Sequence, residues 1–86
     1  GPRYLQVEVQ LMTRDPLALT ALQTHAPAIR ANLLMLFSQV EPTQIADRAG
    51  KEKLQASALT EVQKLMKAET GQNSADELLF TSFVTQ

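Results

Sequence analysis

Strand-like segments lie at both ends of this chain, and helical patterns fill the sequence between them. Apolar and polar side chains alternate from Arg3 to Met12, which is the period-2 pattern of a strand with one buried face. The apolar positions are Leu5, Val7, Val9 and Leu11, and the polar positions are Gln6, Glu8 and Gln10. Because the two strand-like segments lie at opposite ends of the sequence, the helical segments between them must connect the strands.

A second strand is predicted from Glu77 to Thr85, a segment rich in Leu, Phe, Thr and Val. Both of its faces carry apolar side chains. Strict alternation places Leu78, Phe80 and Val84 on one face and Leu79 and Phe83 on the other. This strand is therefore expected to be covered on both sides or buried in an assembly, with Leu79 and Phe83 as candidate interface residues.

A first helix is predicted after the first strand. Asp15 is an N-cap acceptor, and Pro16 suits the first helical position because its φ is fixed and it has no N–H group. The apolar edge of this helix is formed by Leu17, Ala18, Ala21 and Leu22. The helix is expected to weaken near His25 and Ala26, because Pro27 disfavours helical geometry at the residue before it.

A second helix is predicted from Pro27 to the break at Glu41-Pro42. It carries a wide apolar stripe of period 3.6, and this stripe is formed by Ile29, Leu33, Leu36, Phe37 and Val40. Arg30 lies beside the stripe, where a guanidinium can pair across a buried edge or cap a carbonyl group. Arg30 is also a candidate interface residue.

A further helical turn is predicted from Thr43 to Ala46, followed by a third helix that Asp47 caps and that runs to about Ala68. The apolar face of this third helix is formed by Leu54, Ala58, Val62 and Leu65. Gly71 supplies a left-handed cap, and polar turn residues follow it.

The predicted order is strand, three helices, strand, within one α+β domain over residues 3–86 whose helices pack on a small sheet. A right-handed crossover between parallel strands is the preferred connection. A two-stranded sheet leaves edges that recruit a further strand, either from sequence upstream of Arg3 or from a neighbouring subunit. Gly1 and Pro2 resemble the remnant of an expression tag.

Composition and charge argue against several classes of function. Eight basic and nine acidic residues are interspersed and give a formal net charge of −1, so no basic run is available to neutralise a nucleic acid. The chain has no cysteine, which excludes a disulfide and a thiolate metal site. The longest wholly apolar run, Leu33 to Phe37, is far too short to cross a bilayer.

No group of residues in the sequence is typical of an active site or a cofactor site. His25 is the one histidine, and it has no second His or Cys with which to bind a metal. Gly50-Lys51 lacks the other residues of a phosphate-binding loop. Glu52 and Glu61 lie on a lysine-rich helix, where carboxylates usually form exposed ion pairs. An enzyme or small-ligand sensor built on these groups is the least favoured hypothesis.

Several motifs, in their order and spacing, resemble the FliL family of flagellar basal-body proteins. They are Arg3-Tyr4-Leu5-Gln6-Val7-Glu8-Val9, Asp15-Pro16, Ile29-Arg30, Leu33 to Ser38, Gly50-Lys51-Glu52-Lys53-Leu54, and the closing segment from Leu79 to Gln86. The resemblance covers nearly the whole chain.

This resemblance implies a fold similar to the stomatin-type SPFH domain. It implies the periplasmic domain of an inner-membrane protein, with a single membrane helix, a linker and a further strand upstream. It also implies a homo-oligomeric ring around the stator units of MotA and MotB, which supports their engagement and torque in swimming and swarming. The resemblance implies no catalytic residue, no cofactor and no small-molecule substrate. The competing hypothesis is a general membrane scaffold of the stomatin type.

Overall fold

A computed structural model describes residues 4–86. The predictions for Gly1, Pro2 and Arg3 lie outside these residues. The elements, in chain order, are β1 (Leu5–Met12), α1 (Pro16–Thr24), α2 (Ala26–Ser38), a short 3-10 helix (Pro42–Ile45), α3 (Arg48–Thr70) and β2 (Glu77–Thr85). The predicted α+β class and the order of strand, three helices, strand are confirmed.

Local capping explains where the helices begin and end. The Asp15 carboxylate accepts a hydrogen bond from the main-chain N–H of Leu17 at 3.0 Å and starts α1. The Asp47 carboxylate accepts one from the N–H of Gly50 at 2.8 Å and starts α3. Gly71, with a φ of 83°, ends α3 in the left-handed region. These predicted caps are confirmed.

The two strands pair antiparallel, so the preference for a parallel crossover is wrong. Tyr4 and Gln86 exchange two main-chain hydrogen bonds at one end of the sheet, and Asp76 donates its N–H to the oxygen of Met12 at the other. The helical segment therefore leaves and rejoins the sheet at the same end. Helices α1 and α2, of 9 and 13 residues, carry the chain away from this end of the sheet. Helix α3, of 23 residues, has a similar total length and carries the chain back to it.

A β-bulge interrupts the pairing halfway along the strands. Glu8 lies opposite Ser82, but the next residue, Val9, lies opposite Phe80. Thr81 is therefore an extra residue on β2, and its hydroxyl lies 3.4 Å from the main-chain oxygen of Glu8. The alternation of side chains along β2 reverses at this point.

The bulge changes the faces predicted for β2. Phe83 lies on the same face as Phe80, against the helices, because it pairs with Val7 of the half-buried face of β1. Val84 joins Leu79 on the opposite face. The prediction that grouped Phe83 with Leu79 and Val84 with Phe80 is wrong, because strict alternation does not allow for an inserted residue.

The core lies between the helices and one face of the sheet. Four residues of α3 spaced four apart are buried, and they are Leu54, Ala58, Val62 and Met66. Met66 is fully buried, whereas Leu65, which was predicted for this stripe, is half-buried. Because the buried residues of α3 stay four apart along the whole row, the last of them is Met66 and not Leu65. Of these four residues, Ala58, Val62 and Met66 belong to the main core cluster, together with Leu22, Ile29, Leu33, Ala75 and Leu78.

The absence of a side chain at Gly50 allows the 3-10 helix and α3 to lie in close contact. A Cβ atom at this position would lie 1.8 Å from the main-chain oxygen of Gln44. The Gln44 side chain in turn accepts a hydrogen bond from the N–H of Glu41 at 2.7 Å and closes the short helix. The predicted helical turn between α2 and α3 is confirmed, and the glycine at position 50 is explained by packing.

Candidate interaction surface

The outer edge of β1 is an unpaired strand edge. Tyr4 points its N–H and C=O groups at β2, as its two bonds to Gln86 show, and these groups alternate in direction along an antiparallel strand. The main-chain groups of Leu5, Val7, Val9 and Leu11 therefore point away from β2. The described sheet has two strands, so within residues 4–86 no strand pairs with this edge.

A groove of about 790 Å³ runs along this edge. Every residue from Leu5 to Leu11 lines it, although their side chains alternate between the two faces of the sheet. One wall of the groove is therefore the main-chain edge of β1. The helical side of the groove is formed by Leu22, Ala26, Ile29, Arg30, Leu33, Leu34 and Phe37. We call this surface the β1 groove.

The outer edge of β2, in contrast, is partly covered by α3. Gln55 donates a hydrogen bond from Nε2 to the main-chain oxygen of Leu78 at 2.7 Å, and this bond is partly buried. Gln63 donates in the same way to the oxygen of Ala75 at 2.9 Å, just before β2 begins. The two edges of the sheet are therefore not equivalent, and the edge of β1 is the more open one.

The unequal widths of the two layers explain the position of the β1 groove. α3 lies against β2, and α2 lies against α3. Neighbouring strands are about 4.8 Å apart, whereas packed helices are about 8–10 Å apart. A layer containing α3 and α2 is thus wider than the two strands above it. From these spacings we infer that part of α2 extends beyond β1, which accounts for a groove lined by residues of both elements.

The three predicted interface residues do not form one surface. Arg30 is exposed at the β1 groove. Among residues 4–86 its side chain makes no ion pair, because the one ion pair found there joins Arg48 and Glu52 at 2.9 Å. The predicted pairing of Arg30 is thus not found. Leu79 is 39% exposed on the face of the sheet that points away from the helices, and Phe83 is half-buried on the other face.

An aromatic cluster that the sequence analysis missed fixes Phe83. Its ring centroid is 5.3 Å from that of Phe80, which in turn lies 6.1 Å from that of Phe37 in an edge-on arrangement. Lys51 Nζ lies 5.4 Å from the centroid of the Phe83 ring. The cluster depends on the bulge at Thr81, and no local sequence signal marks that bulge.

Several large apolar side chains are exposed on the helices. Leu17 is 81% exposed, so its assignment to the apolar edge of α1 is wrong; Ala18 and Leu22 are the buried residues of that helix. The adjacent Leu34 and Met35 on α2 are also mostly exposed. Leu34 lines the β1 groove and so extends its apolar surface.

The residues considered for chemistry are dispersed. His25 lies at the junction of α1 and α2, where its main-chain N–H donates a hydrogen bond to the main-chain oxygen of Ala21. Glu52 forms the exposed pair with Arg48, as expected for a carboxylate on a charged helix. Within the described part of the chain, no group of three or more His, Cys, Asp or Glu side chains is placed to hold a metal ion. No helix there has the length and hydropathy of a membrane span.

These features define a small α+β domain with one open sheet edge, one partly covered edge and an apolar groove. The family model for the flagellar basal body-associated protein FliL matches residues 1–86. The chain belongs to the FliL family, and this membership associates it with the flagellar basal body.

Curated relatives agree with this assignment. The chain is 27% identical over 82 residues to the flagellar protein FliL of Escherichia coli strain K12, which covers 95% of this chain and 53% of the relative. The flagellar protein FliL of Shigella flexneri gives the same identity and coverage. The chain spans about half the length of the curated relatives it matches.

Proposed function

We propose that this chain is a non-catalytic domain of the flagellar motor. Its copies form a ring around stator units built from MotA and MotB, or their homologues, and support the engagement and torque of those units. The parent protein is anchored in the inner membrane by an N-terminal helix, and residues 3–86 lie in the periplasm. The observation that carries this proposal is the match of the FliL family model to residues 1–86.

The surfaces of the domain support a role in assembly. Leu79 and Val84 leave apolar surface exposed on the outer face of the sheet, and Arg30 presents a cation at the β1 groove. Exposed apolar side chains grouped in this way are typical of contact surfaces. We propose Leu79 and Arg30 as contact residues, and Phe83 as a residue that shapes the neighbouring surface from within its aromatic cluster. We also propose that the fold, with helices packed on a small sheet, is similar to the stomatin-type SPFH domain.

Deletion of the gene in a flagellated host tests the motor role. We expect impaired swarming and a loss of torque under high load, measured by the rotation of large and small beads attached to flagellar stubs. Complementation with Leu79→Ser should restore less torque than Leu17→Ser, which alters an exposed leucine elsewhere. Unchanged torque at every load in the deletion strain would contradict the proposal.

Co-purification from membranes separates this role from the competing stomatin-type scaffold. Recovery of stator proteins with the full-length protein supports the motor role. A membrane complex that contains lipids or other channels but no stator protein supports the scaffold.

A further inference from the structure

We propose that two copies of this domain meet head to tail, with the outer face of the sheet in one copy lying against the outward face of α3 in the next. The partner is thus a second copy of this chain. The inference rests on the proposed ring and names the two surfaces that meet in it. A further strand beside β1 extends the sheet and leaves this face uncovered, so the contact does not depend on the edge of β1.

The outer face of the sheet is acidic and partly apolar. Four cross-strand pairs form this face, and they are Gln6 with Val84, Glu8 with Ser82, Gln10 with Leu79, and Met12 with Glu77. Glu8 and Glu77 are exposed, and the set contains no lysine or arginine. Met12, Leu79 and Val84 add exposed apolar surface on the same face.

The outward face of α3 is basic. Five exposed residues lie on one side of this helix because their spacings alternate between four and three, and they are Lys53, Ser57, Thr60, Lys64 and Lys67. We call them the lysine row. The buried residues of α3 lie on the opposite side. Glu61 is half-buried and lies roughly 80° around the helix from Lys53, so the row itself contains no anion.

Neither set of charges is paired within the domain. Among residues 4–86 the one ion pair joins Arg48 and Glu52. Glu8, Glu77 and the lysine row are therefore available to a partner. A lysine row alone suits any anion. A second copy is favoured because the same chain presents matching carboxylates on its other side.

Like charges decide between the two ways of joining copies. A two-fold contact would place the same surface on both sides. Sheet against sheet would bring the carboxylates of both copies together, and α3 against α3 would bring their lysines together. Sheet against α3 instead joins opposite charges. Contacts between two different surfaces close into rings when the rotation between copies allows it, which fits the proposed assembly.

The two charged surfaces run along the same direction of the domain. Gln55 donates a hydrogen bond to the main-chain oxygen of Leu78. Gln63, about two turns further along α3, donates to that of Ala75, which lies before Leu78 in the chain. α3 therefore runs antiparallel to β2. In a ring of many copies, neighbours differ by a small rotation and lie nearly parallel, so their rows of charge stay aligned.

The spacing of the charges also matches. Glu77 lies opposite Met12, which is four residues beyond Glu8 along β1, so the two carboxylates are about 14 Å apart along the strands. Lys53 and Lys64 are eleven residues apart on α3, or about 16 Å. Glu8 can therefore pair with Lys53 of the next copy, and Glu77 with Lys64.

An apolar contact fits between these two ion pairs. Leu79 lies midway between the two carboxylates along the strands. Ser57 and Thr60 lie midway along the lysine row, and their short side chains leave room between the longer lysines. The contact thus has an apolar centre and a pair of opposite charges at each end.

Chemical cross-linking of the full-length protein in cell membranes tests the contact. The domain has no cysteine. Gln10→Cys places a thiol on the outer sheet face without removing Leu79, and Thr60→Cys places one in the lysine row. In a background without other cysteines, a short bis-maleimide should link the double variant into a ladder of trimers and larger species, because each copy joins two others.

Each of these single variants should stay monomeric under the same treatment. The matched control is Gln10→Cys combined with Gln23→Cys, which is an exposed position on α1, and it should give no ladder.

Charge reversal gives a second readout that needs no cysteine. Glu77→Lys and Lys64→Glu should each lower the co-purification of two differently tagged copies roughly two- to fivefold, as expected for the loss of one exposed ion pair. Both substitutions in the same chain put opposite charges back across the contact and should restore the recovery. Glu69→Lys reverses an exposed charge outside both surfaces and should leave the recovery unchanged.

Three results would overturn the contact. Dimers from Gln10→Cys alone would assign the sheet face to a two-fold pair. Full recovery with both single charge reversals would refute the pairing of charges. Absence of the ladder while tagged copies still co-purify would refute these two surfaces and leave the proposed ring standing, whereas absence of both would refute the ring as well.

Discussion

Gln55 of α3 donates a 2.7 Å hydrogen bond from Nε2 to the main-chain oxygen of Leu78 in β2. Leu78 is 2% exposed, so this oxygen lies where water has little access. The bond joins the longest helix to the outer edge of β2, and it is one reason that the two edges of the sheet differ. The greater openness of the β1 edge, compared with the edge of β2, is therefore partly a consequence of how α3 is placed.

Loss of this bond should destabilise the domain. Gln55→Ala leaves the oxygen of Leu78 without its partner, and we expect a loss of about 1–2 kcal/mol in the free energy of unfolding. Chemical denaturation followed by circular dichroism measures it. Gln23→Ala removes an exposed glutamine from α1 and should change stability by less than about 0.5 kcal/mol. Equal effects of the two substitutions would show that the Gln55 contact adds nothing.

Gly50→Ala should also destabilise the domain, although alanine favours helices. In an exposed helix interior this change stabilises by up to about 1 kcal/mol. Here the new Cβ would meet the main-chain oxygen of Gln44, and we expect a net loss of about 1–3 kcal/mol.

Gly71→Ala is the matched comparison for Gly50→Ala. Nothing lies within 4 Å of a Cβ at Gly71, so the left-handed backbone is the one source of cost there, about 1 kcal/mol. Thermal unfolding of both variants measures the difference. A stabilised Gly50→Ala variant would contradict the close contact.

The bulge at Thr81 predicts an order of stabilities along β2. Leu78→Ala should cost about 2–5 kcal/mol because Leu78 is buried, and Leu79→Ala less than about 1 kcal/mol. Phe83→Ala should lie between them, at about 2 kcal/mol, because its ring is half-buried against Phe80. Without the bulge, Phe83 would share the exposed face of Leu79. The loss of stability in Phe83→Ala would then be as small as that in Leu79→Ala.

Much of the fold could be predicted because it is set by neighbouring residues. Asp15-Pro16 and Asp47 carry their capping chemistry within one helical turn, so both helix starts were found. The alternation in β1 is likewise visible in the sequence alone, and it matches the observed burial of every second residue. These features need no knowledge of the rest of the chain.

The remaining features depend on contacts between distant residues. The antiparallel pairing depends on where the helical segment rejoins the sheet, and the bulge lies on a strand that contacts both β1 and α3. Leu17 was misplaced, and Met66 was left out of the predicted apolar face of α3, for a similar reason, since the line of contact along each helix is set by its neighbours. The open edge of β1 was expected only as one of two edges. What distinguishes it is Gln55, a residue with no sequence signal for this role.

The most direct test of the open β1 edge is amide hydrogen exchange of the isolated chain, resolved residue by residue by NMR. The amides of Gln6, Glu8 and Gln10 point at β2 and should exchange slowly, whereas those of Val7 and Val9 point into the groove and should exchange fast. Alternating protection along β1 is the predicted result. Equal, strong protection of all five amides would show that the edge is not open.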